Sequence, residues 1–267
     1  MSITVLVALA HPDDEVNCAG TIAAHVAAGD RVVTLLLTAG EMTEALGPIG
    51  TAEVARQRTV HAHEAGRILG SEVRVLDFAD TRVEVSADAN YRVAHEIADI
   101  RPDIVITWGD AWVRGPRHPD HQATGQLVRN AITIARIAKA IAPASPHRGA
   151  AAVYTLRDPH SVLPCAAVDV TAHRARIHEV AAFYRQYVNW PQAAWLDGRL
   201  REAGDPWNVE MAELFDAWDG EAGLGTRLMG ATDASPLVQR MKAATPLGSS
   251  PAGDSGGSPS AIREASA

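Results

Sequence analysis

The chain has 267 residues, of which 47% are hydrophobic, and this is enough apolar material for the single large core of an α/β domain. Its formal net charge of −8, with no run of lysine or arginine, argues against a nucleic-acid-binding protein, because such a protein presents a basic patch. The chain also lacks an uninterrupted apolar stretch of the roughly 20 residues that cross a bilayer, so we expect no membrane span.

Strands and helices are predicted to alternate from the first residues onward. The predicted elements of the first half are a strand at 3–8, a helix at 16–28, a strand at 31–37, a helix at 51–69, a strand at 73–78, a helix at 90–100, a strand at 103–108 and a helix at 121–141. Strands at 151–156 and 166–170 and helices at 171–188 and 205–218 follow. This order predicts a Rossmann-like, mostly parallel sheet with helices on both faces.

The domain organisation follows from composition. Residues 1–244 are predicted to form one domain, because the alternation of elements continues without a linker. Residues 245–267 are rich in Gly, Ser, Pro and Ala, a composition that is typical of a disordered tail.

The first predicted strand runs directly into the segment Ala10-His11-Pro12-Asp13-Asp14-Glu15. A dinucleotide-binding fold would carry a glycine-rich loop at this position, and the chain has none. A histidine and adjacent carboxylates leave the strand instead, at the sheet edge where α/β folds place their ligands and chemistry. The position therefore predicts an active site without a dinucleotide cofactor.

A second cluster, His118-Pro119-Asp120-His121, follows the fourth predicted strand. If the first and fourth strands are neighbours, His11, Asp14 and His121 converge. Three protein ligands that leave a position for water are typical of a catalytic zinc site. We therefore predict a metal centre formed by these three side chains, with Zn²⁺ as the expected ion and Fe²⁺ as an alternative that ligand type does not exclude.

The remaining polar side chains of the two clusters suit hydrolysis. Asp13 lies between two ligands, where a carboxylate can accept a proton from water as a general base. His118 is predicted either to stabilise an oxyanion or to protonate a leaving amine. Asp120 is predicted to orient His118 or to support a metal ligand.

Together the two clusters resemble the LmbE-like, or PIG-L, family of zinc deacetylases, which remove N-acetyl groups from N-acetylglucosamine conjugates. The resemblance covers roughly residues 3 to 190 and includes Thr38-x-Gly40-Glu41. It implies the same roles for the ligands, for Asp13, for His118 and for Asp120. It also implies that Arg58 and Asp80 bind the sugar substrate.

The chain departs from the family pattern at two places. His61 stands where the family often carries a glutamate three residues after the arginine, and Pro116-Arg117 replaces a tyrosine found in some members before the second motif. Trp108 and Trp112 flank that motif, and each either stacks on a substrate ring or packs in the core.

The sequence thus predicts a zinc-dependent N-deacetylase that acts on a small-molecule glycoconjugate. An amidase for a larger acyl group is the first alternative, and a metal-binding protein without catalysis is the second. Cys18 and Cys165 make no disulfide framework and no signal peptide is recognised, so a cytoplasmic location is expected. The sequence does not specify an oligomeric state.

Overall fold

The computed structural model describes residues 2–110, 117–188, 190, 192–231 and 238–239. Its strands are short runs dominated by apolar and β-branched residues, which favour pleated and buried segments. They are β1 (Thr4–Leu9), β2 (Arg31–Thr38), β3 (Glu72–Phe78), β4 (Ile104–Trp108), β5 (Ala152–Leu156), β6 (Cys165–Asp169), β7 (Ala212–Ala217) and β8 (Gly223–Gly225). The helices are α1 (Ala19–Ala27), α2 (Thr51–Leu69), α3 (Ala87–Ile100), α4 (Pro119–Ile134), α5 (Ala138–Ile141), α6 (Arg174–Val188) and α7 (Ala193–Gly204).

The strands form one eight-stranded sheet in the order β3-β2-β1-β4-β5-β7-β6-β8. The first five strands of that order are parallel, β7 runs antiparallel to both of its neighbours, and β8 is parallel to β6. Helices cover both faces, because α1, α2, α6 and α7 pack on one apolar cluster and α3, α4 and α5 on the other. The predicted Rossmann-like, mostly parallel α/β fold is confirmed.

Two predictions about elements are wrong. In place of the helix expected at 205–218, the chain forms a short 3-10 helix at Asp205–Trp207 and then the mostly buried strand β7, which lies between β5 and β6. Sheet pairing overrides helix propensity in this segment, and the helix of this region, α7, ends before it. The helix expected at 121–141 begins earlier, at Pro119, and is divided into α4 and α5.

Several expectations fall on residues that the structure does not describe. Trp112, Pro116 and the tail at 245–267 lie outside the described residues, so the domain boundary at 244 stays a prediction. Among the described residues, no helix is both long enough and apolar enough to cross a membrane.

Candidate metal centre and active site

The two histidine–aspartate motifs meet at one edge of the sheet. The strand β1 pairs with β2 on one side and with β4 on the other, so the chain leaving β1 lies beside the chain leaving β4. The end of β2 fixes the first motif, because Thr38 donates to the carbonyl oxygen of Ala10 from its backbone N–H at 2.9 Å and from its hydroxyl at 3.1 Å. The expected proximity of the first and fourth strands is confirmed.

The Asp14 carboxylate closes the turn that carries the first motif. Its Oδ2 atom accepts the backbone N–H groups of Ala10 and His11 at 3.1 Å and 3.0 Å. The same oxygen is 3.6 Å from His11 Nδ1, and Oδ1 is 3.2 Å from His121 Nε2. Burial raises the pKa of Asp14, but the charge of His121 and the hydrogen bond with His11 outweigh it and hold the pKa far below its usual value. Asp14 is therefore an anionic bridge between the two histidines.

Two further carboxylates hold the other nitrogen of His11. Nε2 is 3.1 Å from Asp80 Oδ1 and 3.2 Å from Asp120 Oδ2. Burial lowers the pKa of His11, yet the hydrogen bonds to Asp120, Asp14 and Asp80 raise it to about 12. Since Nε2 faces Asp80 and Asp120, the nitrogen left to bind a metal ion is Nδ1, which faces Asp14. A ligating histidine is commonly oriented by a carboxylate in this way.

Asp120 is the most constrained carboxylate of the site. It is fully buried, and it accepts the backbone N–H groups of Thr81 at 2.7 Å and Val83 at 3.2 Å in addition to its contact with His11. Its side chain contacts His11 rather than His118. The backbone N–H of Asp120 donates to His118 Nδ1 at 3.3 Å, which makes His118 the N-cap of α4. Asp120 thus contacts the predicted ligand His11 and not the ring of His118 through its carboxylate, and its role in the reaction stays a prediction.

His118 is exposed at the mouth of this cluster. Its ring centre lies 4.6 Å from that of His11 and 5.0 Å from that of His121. Burial and the positive charge of the two neighbouring histidines lower its pKa, so the ring is neutral near pH 7. Because Nδ1 accepts a backbone proton, Nε2 carries the ring proton and can donate it to a substrate oxygen.

The indole of Trp108 forms the wall behind His121. The two rings stack with centres 4.0 Å apart and planes 12° from parallel. Trp108 is only 1% exposed, and a Cβ atom on Gly125 would lie 2.4 Å from its carbonyl oxygen, so α4 packs closely on the end of β4. Of the two predicted roles for Trp108, the structure supports packing.

Asp13 lies between the ligand residues with its carboxylate partly accessible. The side chain is 24% exposed, and Oδ2 is 3.6 Å from the Arg58 guanidinium. Burial raises the pKa of Asp13 to about 6, although the charge of Arg58 acts in the opposite direction. The carboxyl group is thus held close to the pKa range of an effective general base.

Arg58 and Asp80, the predicted substrate-binding residues, both have protein partners. Arg58 is buried and donates to the carbonyl oxygen of Pro12. Asp80 contacts His11 and also accepts the backbone N–H of Met42 at 2.9 Å, and these contacts lower its pKa to about 2 against the effect of burial. Their role in holding a substrate stays a prediction.

Two residues near the site had no place in the prediction. Glu15, the last residue of the first motif, is buried, and burial raises its pKa to about 7. Its carboxylate accepts the N–H of Asp13 at 2.9 Å and the hydroxyl of Tyr184 at 2.5 Å. Tyr184 is 169 positions away in the sequence, so no local pattern indicates this contact.

A cavity of about 610 Å³ adjoins the site. Trp108 and Arg117 line it from the side of the second motif, while Asp158 and Arg199 line it from the second half of the chain. Arg117 and Asp158 form an ion pair at 2.6 Å across this lining. The wall therefore carries charges of both signs on a lining that is otherwise largely apolar and includes Leu156, Leu200 and Leu214.

The side chains at the sheet edge suit a divalent cation. Two overlapping groups in the described part of the chain have ligand atoms close enough to share an ion, and these are His11, His118 and His121, and His11, Asp80 and Asp120. Neutral imidazoles together with carboxylates form the usual donor set of catalytic zinc and iron sites. The carboxylates around His11 favour a positive charge at this point, which the His11 imidazolium supplies in this structure and which a divalent ion would also supply.

The part of the chain that carries these motifs is similar to known proteins. Residues 6–132 match the family model described as PIG-L, GlcNAc-PI de-N-acetylase. The chain is 31% identical over 154 residues to a diacetylchitobiose deacetylase of Thermococcus kodakarensis, a match that covers 57% of the chain and 54% of that protein. It is 33% identical over 135 residues to a probable N-acetyl-α-D-glucosaminyl L-malate deacetylase 2 of Bacillus anthracis, covering 48% of the chain and 58% of that protein.

The similarity extends to a protein with another reaction. The chain is 29% identical over 168 residues to a 4-oxalmesaconate hydratase of Pseudomonas putida, covering 61% of the chain and 63% of that protein. The chain thus spans less than two thirds of the length of each of these three curated relatives. Among solved structures, a conserved protein of Thermus thermophilus has the same fold, with a TM-score of 0.69 at 28% identity over 82% of this chain and 95% of that one.

Proposed function

We propose that the chain is a member of the PIG-L, or LmbE-like, family, whose model residues 6–132 match, and that it is a metal-dependent hydrolase that removes the acetyl group of an N-acetylglucosamine conjugate. The observation that carries this proposal is the convergence of His11, Asp14 and His121 at one sheet edge, with Asp13 beside them. The names of the two deacetylase relatives support the amino-sugar part of the proposal.

The proposed ligands are His11 Nδ1, Asp14 and His121 Nε2, and the proposed ion is zinc. His11 Nδ1 is 3.6 Å from Asp14 Oδ2 and His121 Nε2 is 3.2 Å from Asp14 Oδ1, and both separations are below the about 4 Å that two ligands of one zinc ion can span. His118 is the competing ligand, but its Nδ1 is already occupied by a backbone N–H. We therefore expect His118→Ala to retain one metal ion per chain, whereas His121→Ala loses it, as measured by elemental analysis after dialysis.

Each residue of the site is proposed to have its own role in amide hydrolysis. A bound divalent ion supplies Lewis acidity, which polarises an amide carbonyl and lowers the pKa of water. The Asp13 carboxylate accepts a proton from the attacking water and delivers it to the nitrogen of the leaving amine. His118 donates from Nε2 to the former carbonyl oxygen as negative charge develops there. The C–N bond then breaks to give acetate and a free amine.

The substrate is proposed to be a small-molecule glycoconjugate whose amine side lies in the cavity beside Trp108. Planar polar groups such as those of Arg117 and Asp158 hydrogen-bond to sugar hydroxyls, and the cavity volume of about 610 Å³ is that of a typical small-molecule site. We also propose a cytoplasmic location, supported by the free thiols of Cys18 and Cys165, since reducing compartments keep cysteines unpaired.

Two other reactions compete with this proposal. An amidase for a larger acyl group would use the same metal, base and oxyanion donor and would differ only in the acyl pocket. The similarity to a hydratase makes addition of water to a carbon–carbon double bond the second competitor. A metal-binding protein without catalysis is disfavoured, because such a protein needs neither Asp13 nor His118.

Acetate release tests the proposal directly. Zinc-loaded protein would be incubated with N-acetylglucosaminyl conjugates of inositol, malate, a lipid and an aglycone, and with matched amides of longer acyl chains. We expect release of acetate and amine in equal amounts from at least one conjugate, and a loss of about 10²- to 10⁴-fold in Asp13→Asn with metal content retained. Release only from the amides of longer acyl chains would show that the protein is an amidase for a larger acyl group. If no amide is hydrolysed but an unsaturated dicarboxylate, added as a further substrate, is hydrated, the protein is a hydratase.

A further inference from the structure

The peptide group between Pro12 and Asp13 is held in an unusual conformation. Asp13 has φ of 107°, a value that glycine adopts freely and that other residues rarely adopt. Such a conformation costs about 1–3 kcal/mol and persists only where the surroundings enforce it. The residue under strain is also the proposed general base, so the groups that enforce its backbone conformation bear on catalysis.

Buried charged side chains hold both polar atoms of this one peptide group. The carbonyl oxygen of Pro12 accepts a hydrogen bond from Arg58 Nη2, and the N–H of Asp13 donates to Glu15 Oε2 at 2.9 Å. Arg58 is 3% exposed and Glu15 is 2% exposed. Rotation of the peptide group would break both bonds at once and leave two buried charged groups without these partners, which is costly.

The two supporting side chains are themselves fixed by distant parts of the fold. On one side, Gly40 makes room for the Arg58 guanidinium, because a Cβ atom at Gly40 would lie 2.9 Å from Nη2. On the other side, the hydroxyl of Tyr184 on α6 donates to Glu15 Oε1 at 2.5 Å. Tyr184 is fully buried, so this bond forms in an environment that strengthens it. Tyr184, from the C-terminal half of the chain, thereby supports the backbone of the first motif through Glu15.

We propose that Glu15 and Tyr184 form a positioning pair that holds Asp13 at positive φ and so aims its carboxylate at the attacking water. Neither residue touches the reacting atoms; both act through the Asp13 backbone. The value of φ sets the direction of the Cα–Cβ bond, and a relaxed Asp13 with negative φ would direct its carboxylate elsewhere. This inference rests on the proposed function of Asp13 as base.

Three substitutions test the pair. Glu15→Leu removes the acceptor for the Asp13 N–H, and Tyr184→Phe removes only the hydroxyl that holds Glu15. Glu15→Gln is the rescue variant, because its amide oxygen can accept from Asp13 while its amide nitrogen donates to the Tyr184 oxygen. We expect kcat to fall about a hundredfold in Glu15→Leu and about tenfold in Tyr184→Phe, with KM and metal content unchanged and with kcat largely restored in Glu15→Gln.

A matched control separates positioning from simple loss of a buried hydrogen bond. Tyr154 is also fully buried, and its hydroxyl donates to the carbonyl oxygen of Met229 at 2.8 Å, far from the first motif in the sheet. Tyr154→Phe should leave kcat unchanged. In an Asp13→Asn background, Tyr184→Phe should cause no further loss, because a pair that acts through the base has nothing left to position. An equal loss in both backgrounds, or in Tyr154→Phe, would overturn the proposal.

A crystal structure of Glu15→Leu gives a readout that does not depend on activity. We expect Asp13 to relax to negative φ, while His11 and Asp14 keep their places. If φ of Asp13 stays near its present value in both Glu15→Leu and Tyr184→Phe, the pair does not hold the conformation and the proposal is wrong. If the wild-type protein hydrolyses no amide, the proposed function fails, whereas the backbone result still decides whether the pair enforces this geometry.

Discussion

The substitution Asp120→Asn tests how the fold supports the metal site. Asp120 accepts hydrogen bonds from Thr81, Val83 and His11, and it is fully buried. An asparagine has one acceptor oxygen and no charge. Placed at the Oδ2 position, that oxygen keeps Thr81 and His11 but leaves the N–H of Val83 facing the NH₂ group, and it accepts from His11 more weakly than the carboxylate does. The unpaired backbone N–H costs about 1–3 kcal/mol of folding free energy. Weaker orientation of the ligating histidine costs about 10- to 100-fold in metal affinity.

The lower part of that range applies, because Asp80 remains 3.1 Å from the same nitrogen of His11. We therefore expect Asp120→Asn to weaken zinc binding about tenfold and the double variant with Asp80→Asn to approach a hundredfold loss. Zinc affinity would be measured by competition with a chromophoric chelator, and folding free energy by urea denaturation of the metal-free protein.

Asp30→Asn is the matched control. Asp30 is buried, accepts the backbone N–H of Ile3 at 3.1 Å and contacts Nδ1 of the buried His25 at 2.8 Å, as Asp120 does with its backbone and histidine partners. It also accepts from Arg227 Nη1 at 2.8 Å, so this variant should lose at least as much folding free energy and keep the zinc affinity of the wild type. Unchanged zinc affinity in the Asp80/Asp120 double variant, or an equal loss in Asp30→Asn, would refute the argument that these carboxylates orient a ligand.

Two further substitutions probe the packing around the site. Gly40→Ala should lower stability by about 1–2 kcal/mol, because Gly40 has a φ of +66°, and it should also lower kcat by displacing Arg58. Gly29→Ala is its control: Gly29 has a φ of +81°, but a Cβ atom there would meet no atom within 4 Å, so only stability should fall. Equal kcat in both variants would contradict this. Trp108→Leu should weaken zinc binding by up to about tenfold through loss of the stack on His121, and Trp108→Phe should retain most of the affinity; calorimetric zinc titration of both variants would decide.

The sequence predicts the edge of the sheet at which the site lies. The segments His11–Asp14 and His118–His121 each follow an apolar strand, and parallel strands bring their carboxyl ends to one edge. Spacing and residue type are sufficient here, because the motifs are local and their strands are neighbours. The contact of Asp120 with His11 was one of two predicted possibilities, and only the position of the loop that carries Thr81 distinguishes them.

Features that depend on contacts between distant segments of the chain could not be predicted from the sequence. The residues of β7 are compatible with a helix as well as with a strand, so the sequence predicted a helix there. Only the pairing of this segment with β5 and β6 makes it a strand. The bond between Glu15 and Tyr184 joins residues 169 positions apart, and nothing in either local sequence indicates it. The stacking of Trp108 on His121 could not be predicted either, because the sequence does not indicate which ring an aromatic side chain will contact.

Titration of metal into the metal-free protein tests the central proposal most directly. Acetate release from a responsive N-acetylglucosaminyl conjugate would be measured while zinc is added in fractions of one equivalent. We expect activity to be absent without metal, to rise linearly and to reach its plateau at one ion per chain, and His121→Ala to show no such rise. Full activity in the presence of a strong chelator, or an unchanged plateau in His121→Ala, would contradict the proposal that His11, Asp14 and His121 hold the catalytic ion.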